Sequence, residues 1–397
     1  MGPNWSGHSI TEPEGPDMQL QRTELIAGLS ERDSVMLAKG RYEAFSKKAI
    51  RSDFFRELVQ HNRPHRHLVR FFINSLMFTM LIYAQYYLWH ESRILAIAVY
   101  PVYLFVQALI VSGFVIHAHE FTHRHIKMRW LNDLVGVATG LVALVNFYSF
   151  QHAHQLHHVN IGNLDTPEAG APVSLKGQKK IRNGDRTRNW AKALADRQPF
   201  LWLFLAWPLF VFDGDYNSWI MPFSNNGRVN RRSVGAFIAI FLMHLCAIAL
   251  FPAPYLFLYL PAALLGGNRF IVITYLHHAH DGSLFFNEHH HNFYNVIMAN
   301  TDRDFGAIVN FFMMNNGFHI AHHLNPQIAY HDLKKASEYL RSILPSDLTY
   351  PYFPNGSLYR DLKNGKYEQR NAADHEFFRL KIPSERSTAA FMQRGEP

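Results

Sequence analysis

The sequence predicts an all-α integral membrane protein. Four transmembrane helices form two hairpins, interfacial helices lie beside them, and a cytoplasmic helical cap carries clustered histidines. Three observations lead there. Long uncharged apolar runs come in pairs, basic residues gather in the segments on one side of those pairs, and histidines recur at i, i+3, i+4 spacing in segments that this topology puts on one face.

Composition narrows the class. Hydrophobic residues make up 48% of the 397 and aromatic residues 14%, yet the mean hydropathy is only −0.13, so a few spans must be joined to large polar segments. A formal charge of +8 suits either nucleic acid or an anionic membrane surface, and apolar runs flanked by basic loops select the membrane. No nucleic-acid partner is expected. The single cysteine, Cys246, sits in an apolar run and leaves neither an intrachain disulfide nor a thiolate metal site open to this sequence. Any metal here is held by imidazole and oxygen.

Taken in order, residues 1–66 read as an N-terminal cytoplasmic segment. The first twenty show no apolar run behind a basic start, so no signal peptide is read and disorder is expected. Met1-Gly2 with Ser6 fits a myristoylation pattern formally, although Pro3 argues against it. Apolar residues at helical spacing between 21 and 62, among them Leu25, Leu29, Met36 and Leu37, predict one or two surface helices.

A membrane domain is expected over 67–344. The runs 68–89, almost free of charge, and 94–116 are each about 20 residues, enough to cross a hydrocarbon core roughly 30 Å thick, with Glu91-Ser92-Arg93 between them. A second pair, 234–251 and 255–276, turns at Pro252-Ala253-Pro254. The opposite flanks hold Arg51, Arg56, Arg63, Arg66, Arg70, Arg124, Lys127, Arg129 and the Lys176–Arg197 cluster, so the positive-inside rule puts those flanks and both termini in the cytoplasm. The apolar stretch 131–150 lies between two histidine clusters. Spanning there would put the clusters in opposite compartments, so an interfacial or re-entrant helix is expected, and 200–223, broken by Pro208, Asp213 and Asp215, is read likewise. Leu333–Leu344 is an amphipathic helix of the cap, and 345–397 form a charged tail.

The histidines carry the chemistry. His119-Glu120-Phe121-Thr122-His123, His154-Gln155-Leu156-His157-His158 and His319-Ile320-Ala321-His322-His323 each place imidazoles on adjacent turns of a helix, and His277-His278 closes the fourth span on the same side. One HxxxH at a span end is more often packing than a ligand pair. Three clusters on one membrane face are not explained that way, and eight or nine converging imidazoles exceed what one ion can use. Two ions are the economical count. Divalent iron suits neutral imidazole and can reduce dioxygen, which attack on an unactivated C–H bond requires, whereas zinc is redox-inert. His117, His125, His152, His280, His289, His290 and His291 are left as supporting or solvated residues.

With these motifs the chain resembles the membrane-bound, acyl-lipid type fatty acid desaturases, whose three histidine boxes take the forms HxxxH or HxxxxH, HxxHH and HxxHH. The segments Ile273–His278 and Asn300–Gly306 are similar to that family too. The resemblance runs roughly from 71 to 333 and implies an oxygen-dependent enzyme that introduces a carbon-carbon double bond into a fatty acyl chain or similar amphiphile. It implies two iron ions held by His119, His123, His154, His157, His158, His278, His319, His322 and His323. It also implies a separate electron donor, a ferredoxin or a b-type cytochrome with its reductase, for which Lys176–Arg197 offers a basic dock. The composition of 281–291 departs from the family and leaves the substrate open, amino-acid-derived small molecules included.

Rival readings are a di-iron hydroxylase or ketolase of a carotenoid, sterol or alkane, and a zinc intramembrane protease in which His119-Glu120-Phe121-Thr122-His123 serves as HExxH with Glu120 as base. In the di-iron reading Glu120 instead orients an imidazole. A histidine-rich metal transporter is the non-enzymatic alternative, and it calls for more mid-span polar residues than His244, Gln85, Gln107, Asn268 and Arg269.

Overall fold

The computed structural model describes residues 31–163, 230–278, 284–286, 291–354, 368–369 and 377–381. The expectations for the first twenty residues, the myristoylation pattern, Lys176–Arg197 and 200–223 lie outside the described residues, as does most of the tail.

Helices α1 (Glu31–Arg51) and α2 (Asp53–Gln60) are the expected polar-side helices. Ser52 starts the second, its hydroxyl accepting from Phe55 N at 3.2 Å, and Phe55 and Leu58 turn inward. Helix α3 (Pro64–Glu91) opens on proline, whose fixed φ suits a first helical position, and a single residue, Ser92, separates it from α4 (Arg93–Thr122). Ser92 ends the first hairpin arm and caps the second, accepting from Leu95 N. The second hairpin is α7 (Arg231–Leu250) and α8 (Leu260–His278), the latter entered through a π-helical turn at Pro254–Tyr259. These four are long and apolar enough to cross a membrane, so the protein is multi-pass.

Helix α4 is the centre. Its outer half shows Ile94, Leu95, Ile97, Val102 and Phe105 to the lipid, while Gln107 through Thr122 are all buried. Helix α8 approaches it closely at Gly266, where an added Cβ would stand 2.7 Å from Ala108 O and 2.8 Å from Val111 Cβ. Ser112 Oγ donates across the same contact to Gly266 O at 3.0 Å. A small residue therefore sets the spacing of the two helices, as is general where lipid supplies no hydrophobic drive between them.

The stretch read as one interfacial helix is divided. Helix α5 (Arg129–Ala143) and α6 (Phe147–Asn160) meet at 100°. Leu144 adopts a left-handed conformation at φ 57°, and Val145 N donates to Gly140 O at 2.8 Å. Only glycine fits there, since a Cβ at position 140 would lie 2.3 Å from Val145 O. Asn146 then caps α6, accepting from Ser149 N, and fastens it to the second hairpin through Nδ2 to Ser233 O at 2.8 Å. The sharp turn aims the second histidine box back at the end of α4.

The cap contains short elements: α9 (Val296–Ala299), α10 (Ala307–Phe312), α11 (His319–Leu324) and the amphipathic α12 (Leu333–Ser342). Its core joins Phe45, Phe55 and Leu58 to Leu324, Leu333 and Leu340. Strands not anticipated from the sequence are also present. They are β1 (Leu284–Phe286), β2 (Asp302–Asp304), β3 (Tyr352–Pro354), β4 (Glu368–Gln369) and β5 (Phe377–Lys381), in the order β1-β5-β4 and as a parallel β2-β3 pair.

Candidate metal centre

Four elements bring the boxes together. The end of α4 supplies His119, with His123 as its C-terminal cap, α6 supplies His154, His157 and His158, the end of α8 supplies His278, and α11 supplies His319, His322 and His323. All nine expected side chains are buried, and they fall into two groups: His119, His123, His154, His158 and His322 in one, His157, His278, His319 and His323 in the other. Within each group the nearest ring nitrogens lie within 4.8 Å of one another.

Each HxxHH box is shared. In α6 the i, i+4 pair His154 and His158 joins the first group and His157 the second; in α11 the pair His319 and His323 joins the second and His322 the first. Residues four apart share a helix face, whereas consecutive residues diverge by about 100°. The His-His doublets therefore split between neighbouring centres, and the His158 and His323 rings touch across the divide at 4.3 Å.

In the first group, Nε2 of His154 is 2.9 Å from Nε2 of both His123 and His158, and His158 Nε2 is 3.1 Å from His322 Nε2. In the second, His319 Nε2 is 3.2 Å from His278 Nε2 and 2.9 Å from His323 Nε2. Burial first, then the neighbouring imidazoles, holds His123, His154, His157, His158, His319, His322 and His323 well below the ordinary histidine value. They are neutral, with lone pairs to give. Neutral imidazoles this close either share an N–H···N hydrogen bond or turn their lone pairs to a common cation. Separations of 2.9–3.2 Å are of the size that ligand nitrogens about 2.1 Å from a common metal would show.

The supports are as specific as the ligands. Asp302 accepts from Ile320 N (2.7 Å), Ser337 Oγ (2.5 Å) and Tyr350 Oη (2.7 Å), fixing the first turn of α11. Burial pushes its carboxyl up to about 6 against those bonds. Beside it, Thr301 N donates to His277 O at 2.7 Å, and Thr301 Oγ1 and Arg303 Nε donate to Leu276 O, closing carbonyls at the end of α8 next to His278. Arg303 N donates to Gly317 O, where a Cβ would meet Arg303 O at 2.1 Å. The Asn300–Gly306 segment is thus the brace that holds the third box against the fourth span.

A third grouping, His67, Glu120 and His125, was not read from the sequence as a unit. Glu120 Oε1 lies 3.3 Å from His119 Nδ1 and Oε2 lies 3.4 Å from His125 Nε2. Burial holds His125 down to about 3. No periodicity signals this contact, because His67 lies in the first turn of α3, Glu120 in the last turn of α4 and His125 in the loop that follows it. Of the remaining histidines, His152 is exposed, His117 and His277 are buried, and His291 donates from Nε2 to Ile161 O at 2.9 Å. His280, His289 and His290 lie outside the described residues.

The sequence model of the fatty acid desaturase family matches residues 95–354, which contain all three boxes and the brace. This chain belongs to that family. Among its curated relatives are a delta(12)-acyl-lipid-desaturase of Punica granatum, 25% identical over 267 residues, and a delta(12)-fatty-acid desaturase of Arabidopsis thaliana, 25% identical over 262. An oleoyl-12-hydroxylase of Ricinus communis is 25% identical over 292. The matched spans cover 62%, 62% and 68% of this chain, and 66%, 67% and 73% of the relatives.

Proposed function

We propose that this desaturase-family chain holds two iron ions and uses dioxygen to introduce a double bond into a fatty acyl chain or similar amphiphile. The observation that carries the proposal is the division of nine buried, histidine-only ligands into neighbouring groups of five and four. His119, His123, His154, His158 and His322 are assigned to one ion, and His157, His278, His319 and His323 to the other.

When bound, such a pair supplies oxygen activation and removal of hydrogen from a methylene carbon. The balance is one dioxygen, two electrons and two protons in, two waters and an alkene out, the remaining two hydrogens coming from adjacent carbons. The protein's part is to keep the imidazoles neutral, aimed and dry, and burial does all three. Among the described residues no carboxylate stands in either group of histidines, and the nearest, Glu120, lies behind His119. Electrons arrive from a separate donor, and the boxes and both termini are assigned to the cytoplasmic side by the basic flanks.

Hydroxylation is the second reading, favoured by one observation: the oleoyl-12-hydroxylase matches as well as the desaturases do. Geometry speaks against the zinc protease. Glu120 touches the back of His119, away from the Nε2 cluster, and five imidazoles leave no tetrahedral site for His119 and His123 to share with a water. Mass spectrometry of lipids from a host expressing the chain tests the proposal. Loss of two hydrogens from a defined acyl chain is expected; gain of one oxygen would assign the hydroxylase, and unchanged lipids with active dioxygen and donor would remove both.

A further inference from the structure

The buried group His67, Glu120 and His125 sits directly behind one ligand of the first cluster, and none of the other ligands has its like. Among the described residues Glu120 is the only carboxylate with an oxygen within 4.0 Å of a ring nitrogen of any of the nine. Its two oxygens point to different imidazoles, Oε1 to His119 Nδ1 and Oε2 to His125 Nε2.

The far side of this group is also fixed. Asn62 Nδ2 lies 3.0 Å from His125 Nδ1 and 3.4 Å from His125 O. An amide nitrogen can only donate, so His125 Nδ1 accepts, and the ring proton of a neutral His125 sits on Nε2, facing Glu120. At His119 the 3.3 Å approach of Oε1 to Nδ1 is not a full hydrogen bond, but the carboxylate favours a proton on Nδ1 and leaves Nε2 for the metal. His67 lies flat against His125, centroids 4.7 Å apart and planes 13° apart.

A third ion held by His67, Glu120 and His125 is the simplest alternative, and the stacking of His67 on His125 weighs against it. A metal lies in the plane of each imidazole that binds it, so crossed rings converge on one point more readily than stacked ones, although His154 and His322 of the first cluster lie within 22° of parallel. In the first cluster the planes of His154 and His158 cross at 88° and those of His123 and His158 at 85°. His67 stacks on His125, and Glu120 is 1% exposed beside them.

We propose that Glu120 is a positioning residue that sets the tautomer of His119 and, by drawing on its Nδ1 proton, makes the metal of the five-histidine cluster the more electron-rich of the two. His125 moderates the effect by holding the other carboxylate oxygen. The two centres are then electronically unequal by construction. This rests on the two-iron reading above. A carboxylate behind a metal-bound imidazole raises its basicity, and a more basic ligand favours the oxidised ion.

The test uses the full-length protein in detergent, loaded with iron, with metal counted per chain and the two irons followed separately by Mössbauer spectroscopy during reductive titration. Glu120→Gln should keep two irons and raise the potential of one only, by about tenfold in its reduced-to-oxidised ratio or more, about 59 mV for one electron. His125→Phe should lower the potential of that same iron, because Glu120 then serves His119 alone. Shifts of opposite sign on one iron are not produced by general loosening of the site. If Glu120→Gln does not load, the downward shift in His125→Phe still decides. Unchanged potentials, shifts of one sign in both variants, or a third ion lost on replacing His67 would each overturn the inference. A wild-type chain that binds no iron would instead overturn the two-iron reading.

Discussion

Single residues in this protein act at either the ligand or the carbonyl behind it. His322 is the ligand that α11 lends to the first cluster, its Nε2 3.1 Å from His158 Nε2. His322→Ala is expected to reduce iron from two per chain to one and to abolish turnover while the chain still inserts in membranes; elemental analysis of the purified variant checks this. Asp302 is the buried acceptor beneath the same helix, and its three donors come from Ile320, Ser337 and Tyr350. Hydrogen bonds to a charged group contribute about 1.5–3 kcal/mol each, and stranded buried donors cost about 1–3 kcal/mol. Asp302→Ala should therefore lower stability by at least about 3 kcal/mol, with lost iron retention, measured by denaturation in detergent. Arg303→Ala, which removes a donor to Leu276 O and strands no comparable set of donors, is expected to do less.

Elements owe their placement to a few close approaches. Helices α4 and α8 meet at Gly266 with Ser112 donating across, and they deliver His119 and His278 to adjacent centres. Gly266→Leu must push the helices apart, since even a Cβ would lie 2.7 Å from Ala108 O, and overpacking of this kind costs about 1–3 kcal/mol. The expected result is a protein that still inserts but binds less than two irons, whereas Gly235→Ala in α7, with open space around it, leaves iron content unchanged. The bend between α5 and α6 has the same logic. Left-handed Leu144 and the bare Cα of Gly140 let the chain turn within three residues and present His154, His157 and His158 to the end of α4.

At the scale of the molecule, pH is the informative variable. Seven ligand histidines outside the spans, together with His125, have folded values below the ordinary one. The unfolded chain takes up protons near pH 6.5, where the folded chain refuses them, so stability is present above about 6.5 and is lost as the pH falls through that region. Asp302 works in the other direction. Its carboxyl, raised to about 6, binds a proton in the folded state before the unfolded chain does, favouring the fold as pH falls from about 6 to about 3.9. Eight imidazoles outweigh one carboxyl. The melting temperature in detergent should fall between about pH 7.5 and about pH 5.5, with iron released in the same interval; a flat or rising profile would contradict the neutral-cluster account.

The sequence by itself determined what depends on local period and composition. Four apolar runs of spanning length, the helix from 333 onward and the histidine boxes at 119–123, 154–158 and 319–323 were legible because a helix face and a bilayer thickness are both one-dimensional measures, whereas His278 joined them only through the family resemblance. Tertiary structure alone decided the rest. It divided the nine histidines into groups of five and four, splitting each His-His doublet. It turned 131–150 through 100° at Leu144, made Asn300–Gly306 a brace through Asp302, and set His67 against the His125 that backs Glu120. Those outcomes join positions as far apart as 158 and 322, and no period in the chain records such a meeting. It is fixed by the close approach of helices and by the need of each buried polar group for a partner.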